Sequence, residues 1–438
     1  MKKEIIKKII EEFSEYQLPK IVERQIIKIN LDVNKIITIG GSRRVGKTFY
    51  IFSIIKKLLA EGIKRERILY INFEDERLLP FSPHDFDILL EAFYELYPET
   101  RNTITYFFFD EIQEITMWEK FVRRLYDTQR AKIVITGSSS KVTSKEIASS
   151  LRGRSITYEL FPFSFNEILS ANGIVCDIRT LYSSRRFLVK KLFEEYLKFG
   201  GYPEIVLNKE HNIRLRILNE YLSTIIIKDL IEKYKIRSMS TLKGLIKFLI
   251  SNVSRYFSIN SFYKFIKQTT PITKRTLINY IHYLESINLF FFVNKFSPSL
   301  KVQSVNPKKL YCIDTGFLTA TGFYATADIG WRLENIVYLT LKQRQIVNPL
   351  MEIYYWRDNS KEVDFLIKEG NRIKSLIQVS YDIEKRETRE REIQGLISAM
   401  EKFNLPRGII ITYDYSGEEK IGKRKIFFIP IIQWLISL

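Results

Sequence analysis

The segment GGSRRVGKT, residues 40–48, constrains the fold of this chain more than any other feature of the sequence. It follows KIITI (35–39), a short run with strand composition, and it precedes a stretch whose apolar residues recur at helical spacing. In that context the pattern GxxxxGKT is typical of a phosphate-binding loop. The backbone N–H groups of such a loop point at phosphate oxygens, and the following helix N-terminus adds partial positive charge. The segment therefore predicts a nucleotide site on an α/β sheet.

The side chains of this loop indicate which nucleotide chemistry it supports. Lys47 is expected to bridge the β- and γ-phosphates of ATP, and the Thr48 hydroxyl is expected to bind Mg²⁺. A chance glycine-rich turn is the alternative, and the agreement of strand, loop and helix argues against it. The predicted ATP-binding residues are Gly41, Ser42, Arg43, Arg44, Val45, Gly46, Lys47, Thr48 and Phe49.

Two adjacent acids, Asp110 and Glu111, follow the apolar run TYFFF (105–109). Asp110 is expected to hold the magnesium through water, and Glu111 is expected to polarise the attacking water as the general base. A solvated turn is the alternative for two acids at a strand end. The second acid argues against a small-molecule kinase, because a kinase must exclude water from its site. The pair therefore predicts ATP hydrolysis.

Two later features are candidates to complete this site. Ser138 and its neighbour Ser139 follow KIVIT (132–136), where a hydroxyl can sense the γ-phosphate, although a serine-rich turn explains them equally well. Arg154 precedes the run SITYEL (155–160), and we interpret it as an arginine finger that reaches the γ-phosphate of a neighbouring subunit. That role predicts a homo-oligomer, either a ring or a dimer. A surface arginine paired with an acid is the alternative.

The order of the sequence blocks predicts the organisation of the chain. Short runs rich in Ile, Phe and Val alternate with helical patterns through the first third, which predicts a parallel sheet covered on both faces. The pattern is mostly helical over 161–235. It is helical, then short-stranded and basic over 236–310, and mixed α and β towards the C-terminus.

These blocks resemble a known family. GGSRRVGKT, YINFEDERL, FFFDEIQ, ITGSSS, LRGR, LFPFSFNEI, YLKFGGYPEIV and EVDFLI occur in the order found in prokaryotic, especially archaeal, AAA+-type ATPases with a C-terminal domain of unknown function. The resemblance spans almost the whole chain. It implies an α/β fold with an AAA+-like P-loop NTPase domain (1–160), a helical lid (161–235), a winged-helix domain (236–310) and a degenerate restriction-endonuclease-like domain (311–438).

The charge distribution predicts a polyanionic partner. The chain carries a net charge of +19, and residues 231–300 hold eleven Lys and Arg against two acids, a net of +9. Within this stretch, two helical patterns followed by two short strands predict a winged helix-turn-helix, with Thr273 as the N-cap of the second helix. A protein-docking winged helix or a solvated basic face is the alternative. The predicted contacts to duplex or branched DNA are Lys274, Arg275 and Thr276 on that helix and Lys295 and Lys301 on the wing.

The last part of the chain carries an incomplete nuclease signature. Restriction-endonuclease-type sites use an acid on a helix, an acid on a strand and Glu-x-Lys on the next strand to hold Mg²⁺ and orient water. Glu334 and Asp364 match the two acids, but Gln378 and Ser380 stand where the glutamate and the lysine are expected. We therefore predict a retained fold that binds DNA or protein, with nuclease chemistry as the less favoured alternative.

Together these features predict an ATPase that uses Mg²⁺ and ATP to drive a conformational switch in a DNA-binding assembly. The alternatives are an ATP-gated DNA nuclease and a signalling ATPase that docks a protein partner without DNA. Two distant cysteines exclude a disulfide framework, and three scattered histidines argue against a histidine-based metal enzyme. The longest apolar run, at the C-terminus, is too short to span a membrane. Because the two cysteines fit a reducing compartment, we expect a cytoplasmic protein.

Overall fold

The structure is a computed structural model that describes residues 2–137, 150–175, 177–268, 270–322 and 329–437. The chain divides into two compact units, Met1–Phe161 and Pro162–Leu438. The first unit ends one residue beyond the predicted ATPase domain. The predicted division of the remainder into three domains stays a prediction, and its boundary at 310 falls inside a strand, Lys308–Cys312.

The first unit alternates strands with helices. Its helices are α1 (Lys2–Glu15), α2 (Lys47–Ala60), α3 (Asp85–Leu96) and α4 (Trp118–Thr128), and its strands are β1 (Ile36–Gly41), β2 (Ile68–Asn72), β3 (Thr105–Asp110), β4 (Ala131–Thr136) and β5 (Ser155–Leu160).

The five strands form one parallel sheet in the order β2-β3-β4-β1-β5. Every residue of β1 is buried, and so is most of β3, because helices cover both faces of a parallel sheet. This confirms the predicted α/β fold with a parallel sheet. Since the strands run in one direction, the carboxyl ends of β1, β3 and β4 meet at one edge, where the loop before α2 begins.

Helix α1 is part of the core of the first unit. Ile6, Ile9, Ile10 and Phe13 recur at helical spacing and are buried. The opposite face carries lysines, of which Lys7 lies 3.0 Å from Glu95 on α3. The helix is therefore held on its apolar side by the sheet and on its polar side by ion pairs.

The second unit begins with helices and ends with two sheets. Its helices are α5 (Phe165–Ala171), α6 (Arg186–Phe199), α7 (Pro203–Leu207), α8 (His211–Thr224), α9 (Met239–Ser251), α10 (Ile259–Ile266), α11 (Lys274–Ser286), α12 (Leu300–Val305), α13 (Gly316–Ala320), α14 (Ile329–Val347), α15 (Arg386–Lys402) and α16 (Ile431–Ile436), and α8 continues into a π-helix (Ile225–Glu232). Its strands are β6 (Tyr256–Phe257), β7 (Phe290–Val293), β8 (Lys308–Cys312), β9 (Met351–Asp358), β10 (Lys361–Glu369), β11 (Arg372–Ser380), β12 (Arg407–Thr412), β13 (Gly417–Ile421) and β14 (Arg424–Pro430).

The two sheets of this unit differ in size and pairing. A small antiparallel sheet has the order β6-β8-β7; β6 lies between α9 and α10 along the chain, and β7 and β8 follow α11. A mixed sheet has the order β13-β14-β12-β11-β10-β9. The two short strands predicted after the second helix are β7 and β8, and helix α12 lies between them. No helix within the described residues has the length and hydropathy that a membrane crossing requires.

Candidate active site

The loop between β1 and α2 has the backbone conformation that its sequence predicts. Gly46 has φ 92° and Arg44 has φ 67°, so the chain curls through left-handed conformations before the helix starts. A Cβ on Gly41 would lie 2.5 Å from the carbonyl oxygen of Leu160, so this position accepts only glycine without a backbone shift. Because Gly46 is the N-cap, it offers no side chain to the first-turn N–H groups of α2. The loop therefore fits a bound phosphate.

Lys47 is buried at the start of α2 and faces β3. Its Nζ lies 3.2 Å from Oε1 of Glu111 and 3.5 Å from the carbonyl oxygen of Gly41. The ammonium group is thus held between the loop and the acid that follows β3. A triphosphate in the loop would offer this ammonium a stronger anionic partner than the carboxylate.

Asp110 is fixed by three hydroxyl groups. Its Oδ2 accepts hydrogen bonds from Thr48 Oγ1 at 2.7 Å and from the Tyr70 hydroxyl at 3.0 Å. Its Oδ1 accepts one from Thr136 Oγ1. Burial raises the pKa of Asp110 above its ordinary value, and the hydroxyl donors oppose that rise. The carboxylate is therefore held in one orientation beside the predicted Mg²⁺ ligand Thr48.

Glu111 has a strained backbone and a polar surround. Its φ is 49°, uncommon for a residue other than glycine, and its N–H donates to Thr136 Oγ1 at 3.0 Å. Gln113 Nε2 donates to Glu111 Oε2 at 2.6 Å. Burial alone would raise the pKa of Glu111, but the Lys47 ammonium and the Gln113 amide outweigh it and hold that pKa below its ordinary value. Glu111 is thus an ionised acceptor, as a general base requires.

The structure brings most of the predicted site residues together. The residues of the loop, Lys47, Thr48, Asp110 and Glu111 lie at one edge of the sheet, and the side chain of Phe49 is half exposed beside them. Ser138 and Ser139 lie outside the described residues. Hydroxyl and carboxylate oxygens, as in Thr48 and Asp110, are the donors that Mg²⁺ prefers, so the side chains present fit this ion.

Arg154 lies away from this edge. It directly precedes β5, whose first residue is in register with Ile36 at the start of β1, whereas the phosphate loop follows the end of β1. Six residues of extended chain separate the two ends by roughly 20 Å. The guanidinium pairs with Asp127, with Nε 2.9 Å from Oδ1. Arg154 therefore does not reach the phosphate loop of its own chain.

Sequence reasoning missed two residues of this site, Tyr70 and Thr136. Thr136 is the last residue of β4, and its hydroxyl contacts both Asp110 and the backbone of Glu111. A threonine at the end of a predicted strand was visible in the sequence, but only the strand order, which places β4 directly beside β3, shows that it reaches Asp110. Tyr70 carried no such signal, since it lies two residues before the end of β2.

Comparisons with known proteins agree with this geometry. Residues 33–169 match an AAA domain, residues 190–327 a domain of unknown function (DUF8612), and residues 330–434 another (DUF4143). An uncharacterized protein of Methanocaldococcus jannaschii is 37% identical over 426 residues, which cover 95% of this chain and 92% of that protein. The chain belongs to the family of AAA-type P-loop ATPases with a C-terminal DUF4143 domain.

This ATPase family has members in archaea and bacteria. A protein of Haemophilus influenzae is 28% identical over 416 residues, which cover 94% of this chain and 97% of that protein. Among solved structures, a Walker-type ATPase of Pyrococcus abyssi is similar at 16% identity and a TM-score of 0.38, over 73% of this chain and 95% of that one. The ORC1 protein of Aeropyrum pernix, solved in complex with DNA, is similar at 11% identity and a TM-score of 0.31, over 73% and 91%.

The predicted DNA-contacting residues of this ATPase differ in exposure. Lys274 and Arg275 are exposed at the first turn of α11, which Thr273 caps by accepting a hydrogen bond from the N–H of Thr276 at 3.1 Å. The hydroxyl of Thr276 is itself bonded to that of Thr273 at 2.9 Å. Thr276 therefore belongs to the helix cap, and the two basic side chains are the accessible groups.

The two lysines predicted on the wing lie on different elements and differ in exposure. Lys295 follows β7, is half-buried, and pairs through its backbone with Tyr355. Lys301 is exposed on α12. Lys295 is therefore fixed to the edge of the larger sheet, whereas Lys301 is free to point into solvent.

The four residues of the nuclease-like motif are all buried in the second unit. Glu334 lies on α14, Asp364 on β10, and Gln378 and Ser380 on β11. Gln378 Oε1 accepts the backbone N–H of Asp364 at 2.9 Å, so this amide serves the backbone of the neighbouring strand.

A lysine that the sequence analysis did not assign fills the centre of this cluster. Lys309 of β8 places Nζ 2.5 Å from Asp364 Oδ1, 3.1 Å from Glu334 Oε1 and 3.1 Å from Glu362 Oε1. Burial and the repulsion of Asp364 raise the pKa of Glu334 to about 8. Burial would lower the pKa of Lys309, but the carboxylates outweigh it and raise that pKa well above its ordinary value. Within the described ranges, no group of three or more His, Cys, Asp or Glu is arranged to hold a metal ion.

Proposed function

We propose that this protein binds ATP with Mg²⁺, hydrolyses it, and uses the cycle to change the conformation of an assembly that binds DNA. The observation that carries the proposal is the meeting of Lys47, Thr48, Asp110 and Glu111 at one sheet edge, with both acids ionisable and individually fixed. These groups match the parts that a water-activating phosphoryl-transfer site needs.

The proposed reaction begins with an exchange of partners by Lys47. Its ammonium leaves Glu111 for the oxygens of the β- and γ-phosphates, which carry more negative charge. Glu111 is then free to accept a proton from water while the water oxygen attacks the γ-phosphorus and the bond to the β-phosphate oxygen breaks. Magnesium, when bound, neutralises the phosphate charge that grows during this transfer. Asp110 and Thr48 would hold that ion.

Two substitutions test the hydrolysis proposal. Lys47→Ala should abolish nucleotide binding, because it removes the main cation of the loop. Glu111→Gln should keep ATP binding and lower turnover by at least about a hundredfold, the usual contribution of a general base. Unchanged turnover in Glu111→Gln would exclude this residue as the base.

We further propose that Arg154 acts in a neighbouring subunit. Its place at the opposite end of β5 from the phosphate loop supports a contact between chains and speaks against one within the chain. Arg154→Ala and Lys47→Ala should each lose about 10³-fold or more in turnover when pure. Mixing them should restore activity, since a Lys47→Ala subunit still donates Arg154 to its partner's intact site. If the mixture stays inactive, the proposal of a trans arginine fails.

The proposed DNA contact rests on α11 and the small sheet. The order α9, β6, α10, α11, β7, α12, β8 and the sheet order β6-β8-β7 support a winged helix-turn-helix, whose second helix enters a major groove. Lys274 and Arg275 are the exposed cations at its first turn. With about five phosphate contacts, the logarithm of the affinity should fall with the logarithm of salt concentration at a slope near −4.5.

The chain offers a matched control for this surface. Lys274→Glu with Arg275→Glu should abolish DNA binding. Lys385→Glu with Arg386→Glu reverses another exposed Lys-Arg pair at the start of a helix, α15. This double variant should change the DNA affinity little. An equal loss of DNA affinity in both double variants would indicate non-specific attraction between DNA and the positive charge of the protein. No DNA binding by the unmodified protein would favour a signalling ATPase with a protein partner.

We propose that the nuclease-like cluster does not cleave DNA. Lys309 occupies the space among the carboxylates, and Gln378 is engaged by the backbone, so both facts support a structural role. A cleavage assay with Mg²⁺ or Mn²⁺ should show no product. Cleavage by the intact protein that Asp364→Ala removes, with ATP hydrolysis unchanged, would establish a nuclease.

A further inference from the structure

We propose that Tyr70 is a positioning residue for the magnesium site, because its hydroxyl fixes the carboxylate that faces the metal. This inference rests on the proposed ATPase function. Tyr70 donates to Asp110 Oδ2 at 3.0 Å, and this is the same oxygen that accepts Thr48 Oγ1 at 2.7 Å. The hydroxyl groups of Thr48 and Tyr70 therefore both donate to Oδ2 of Asp110, the carboxylate oxygen beside the predicted Mg²⁺ ligand Thr48.

The two hydroxyl groups that donate to Asp110 Oδ2 differ in whether they are also predicted to bind magnesium. Thr48 is itself a predicted ligand, so its hydroxyl oxygen would be shared between the ion and the hydrogen bond to Asp110. Tyr70 is not a ligand, and its hydrogen bond is available before and after binding. Tyr70 is therefore the donor to Asp110 Oδ2 whose hydroxyl has no second role as a magnesium ligand.

The geometry of neighbouring strands explains how Tyr70 reaches this oxygen. Asn72 of β2 is in register with Asp110 of β3, and Tyr70 lies two residues earlier. Diagonal neighbours on adjacent strands are within reach only of long or aromatic side chains. A phenol spans this distance and ends in a hydroxyl, whereas a serine or threonine at position 70 would fall short.

Aromatic packing prevents the Tyr70 ring from turning away. Its centroid lies 4.6 Å from the ring of Phe13 on α1 and 5.3 Å from the ring of Phe52 on α2. Helix α1 precedes the residues that match the AAA domain, 33–169. The N-terminal helix therefore contributes to the catalytic edge, through Phe13 and Tyr70, without touching Asp110 itself.

Tyr70→Phe tests this role because it removes only the hydroxyl and keeps the ring. A hydrogen bond to a charged acceptor is worth enough to change an equilibrium about tenfold. Binding of a fluorescent ATP analogue would be measured in EDTA and then along a Mg²⁺ titration. We expect the affinity in EDTA to stay within about twofold of the unmodified protein, while the half-saturating Mg²⁺ concentration rises about tenfold.

Tyr126→Phe is the matched control. Its hydroxyl donates to the carbonyl oxygen of Asn34 at 2.8 Å, in the same unit but before β1 starts. It should leave the Mg²⁺ titration unchanged. An unchanged titration in Tyr70→Phe, or an equal loss of affinity in EDTA, would overturn the positioning role, because the second result means general damage to the nucleotide pocket. If the unmodified protein binds no nucleotide at all, the proposed ATPase function fails first.

Discussion

Replacing Lys309 with methionine should destabilise the second unit strongly. The substitution keeps an unbranched side chain of similar length and removes only the ammonium group. That group lies within 3.1 Å of carboxylate oxygens of Glu334, Glu362 and Asp364, and the Lys309 side chain is only 3% exposed. Water cannot replace the lost cation without opening the site.

The expected magnitude follows from the burial of the partners. Removing one member of a buried ion pair costs about 3–5 kcal/mol, because the remaining charge is left uncompensated. Here the pKa of Glu334 is already raised to about 8 by burial and by Asp364, so at neutral pH Glu334 is mostly protonated and adds little uncompensated charge when the ammonium is removed. Burial also raises the pKa of Asp364. Most of the loss of stability in Lys309→Met is expected to come from this buried carboxylate. For a unit of this size the loss corresponds to a fall of roughly 6–20 °C in melting temperature.

Calorimetry on the full chain measures this effect. Lys374→Met is the control, since Lys374 lies on β11 and makes only an exposed ion pair with Glu369 at 3.7 Å. Such a pair contributes about 0–1 kcal/mol, so this variant should melt within a few degrees of the unmodified protein. Adding Asp364→Asn to Lys309→Met should recover part of the loss by removing the unpaired charge. Equal melting of the two lysine variants, or no recovery in the double variant, would refute this reasoning.

Three further predictions concern other parts of the chain. Gly41→Ala should abolish nucleotide binding in a fluorescence titration, because its Cβ would lie 2.5 Å from the carbonyl oxygen of Leu160, and normal binding would show that the loop can shift. Phe13→Ala should lower the unfolding free energy in denaturant by about 3–5 kcal/mol, since it empties a buried aromatic site on α1, and a loss below about 1 kcal/mol would mean that α1 is not part of the core. Burial raises the pKa of Asp314 to about 7. The protonated carboxyl group therefore contributes its full stabilisation below about pH 4, and this contribution is lost as the pH rises towards 7. The unfolding free energy should fall by about 1.4 kcal/mol for each pH unit in which Asp314 is protonated only in the folded state. Asp314→Asn should flatten the dependence of the unfolding free energy between pH 5 and 7, and an unchanged slope would assign it to other groups.

The sequence predicted the features that depend on a few consecutive residues. The phosphate loop is specified within nine residues, and its glycines have the φ values that the motif requires. Asp110 and Glu111 follow a strand whose apolar composition alone indicates burial. The cap at Thr273 follows from its hydroxyl and its position before a helical pattern. Each of these follows from local chemistry, which a single sequence contains.

The features that escaped prediction depend on which strands are neighbours. Tyr70 reaches Asp110 only because β2 lies beside β3 with Asn72 opposite Asp110. Thr136 reaches it because β4 lies on the other side of β3. Composition shows that both strands exist, but it gives neither their order nor their register. A hydroxyl two residues from a strand end therefore has no visible meaning until the sheet is known.

The role of Lys309 was likewise not predictable from the sequence, and its position accounts for the altered nuclease motif. In the sequence, Gln378 and Ser380 stand as lost charges, because the nuclease motif comprises one helix and two strands and does not include the segment that carries Lys309. The cation comes instead from β8, 55 residues before Asp364, and it reaches Asp364, Glu334 and Glu362 together. A second lysine at position 380 would add positive charge to a cluster that already has its cation. The neutral residues at 378 and 380 are therefore consistent with acids whose counter-ion is a side chain. In such a cluster a metal ion would have to displace an ammonium group that lies within 3.1 Å of three carboxyl groups.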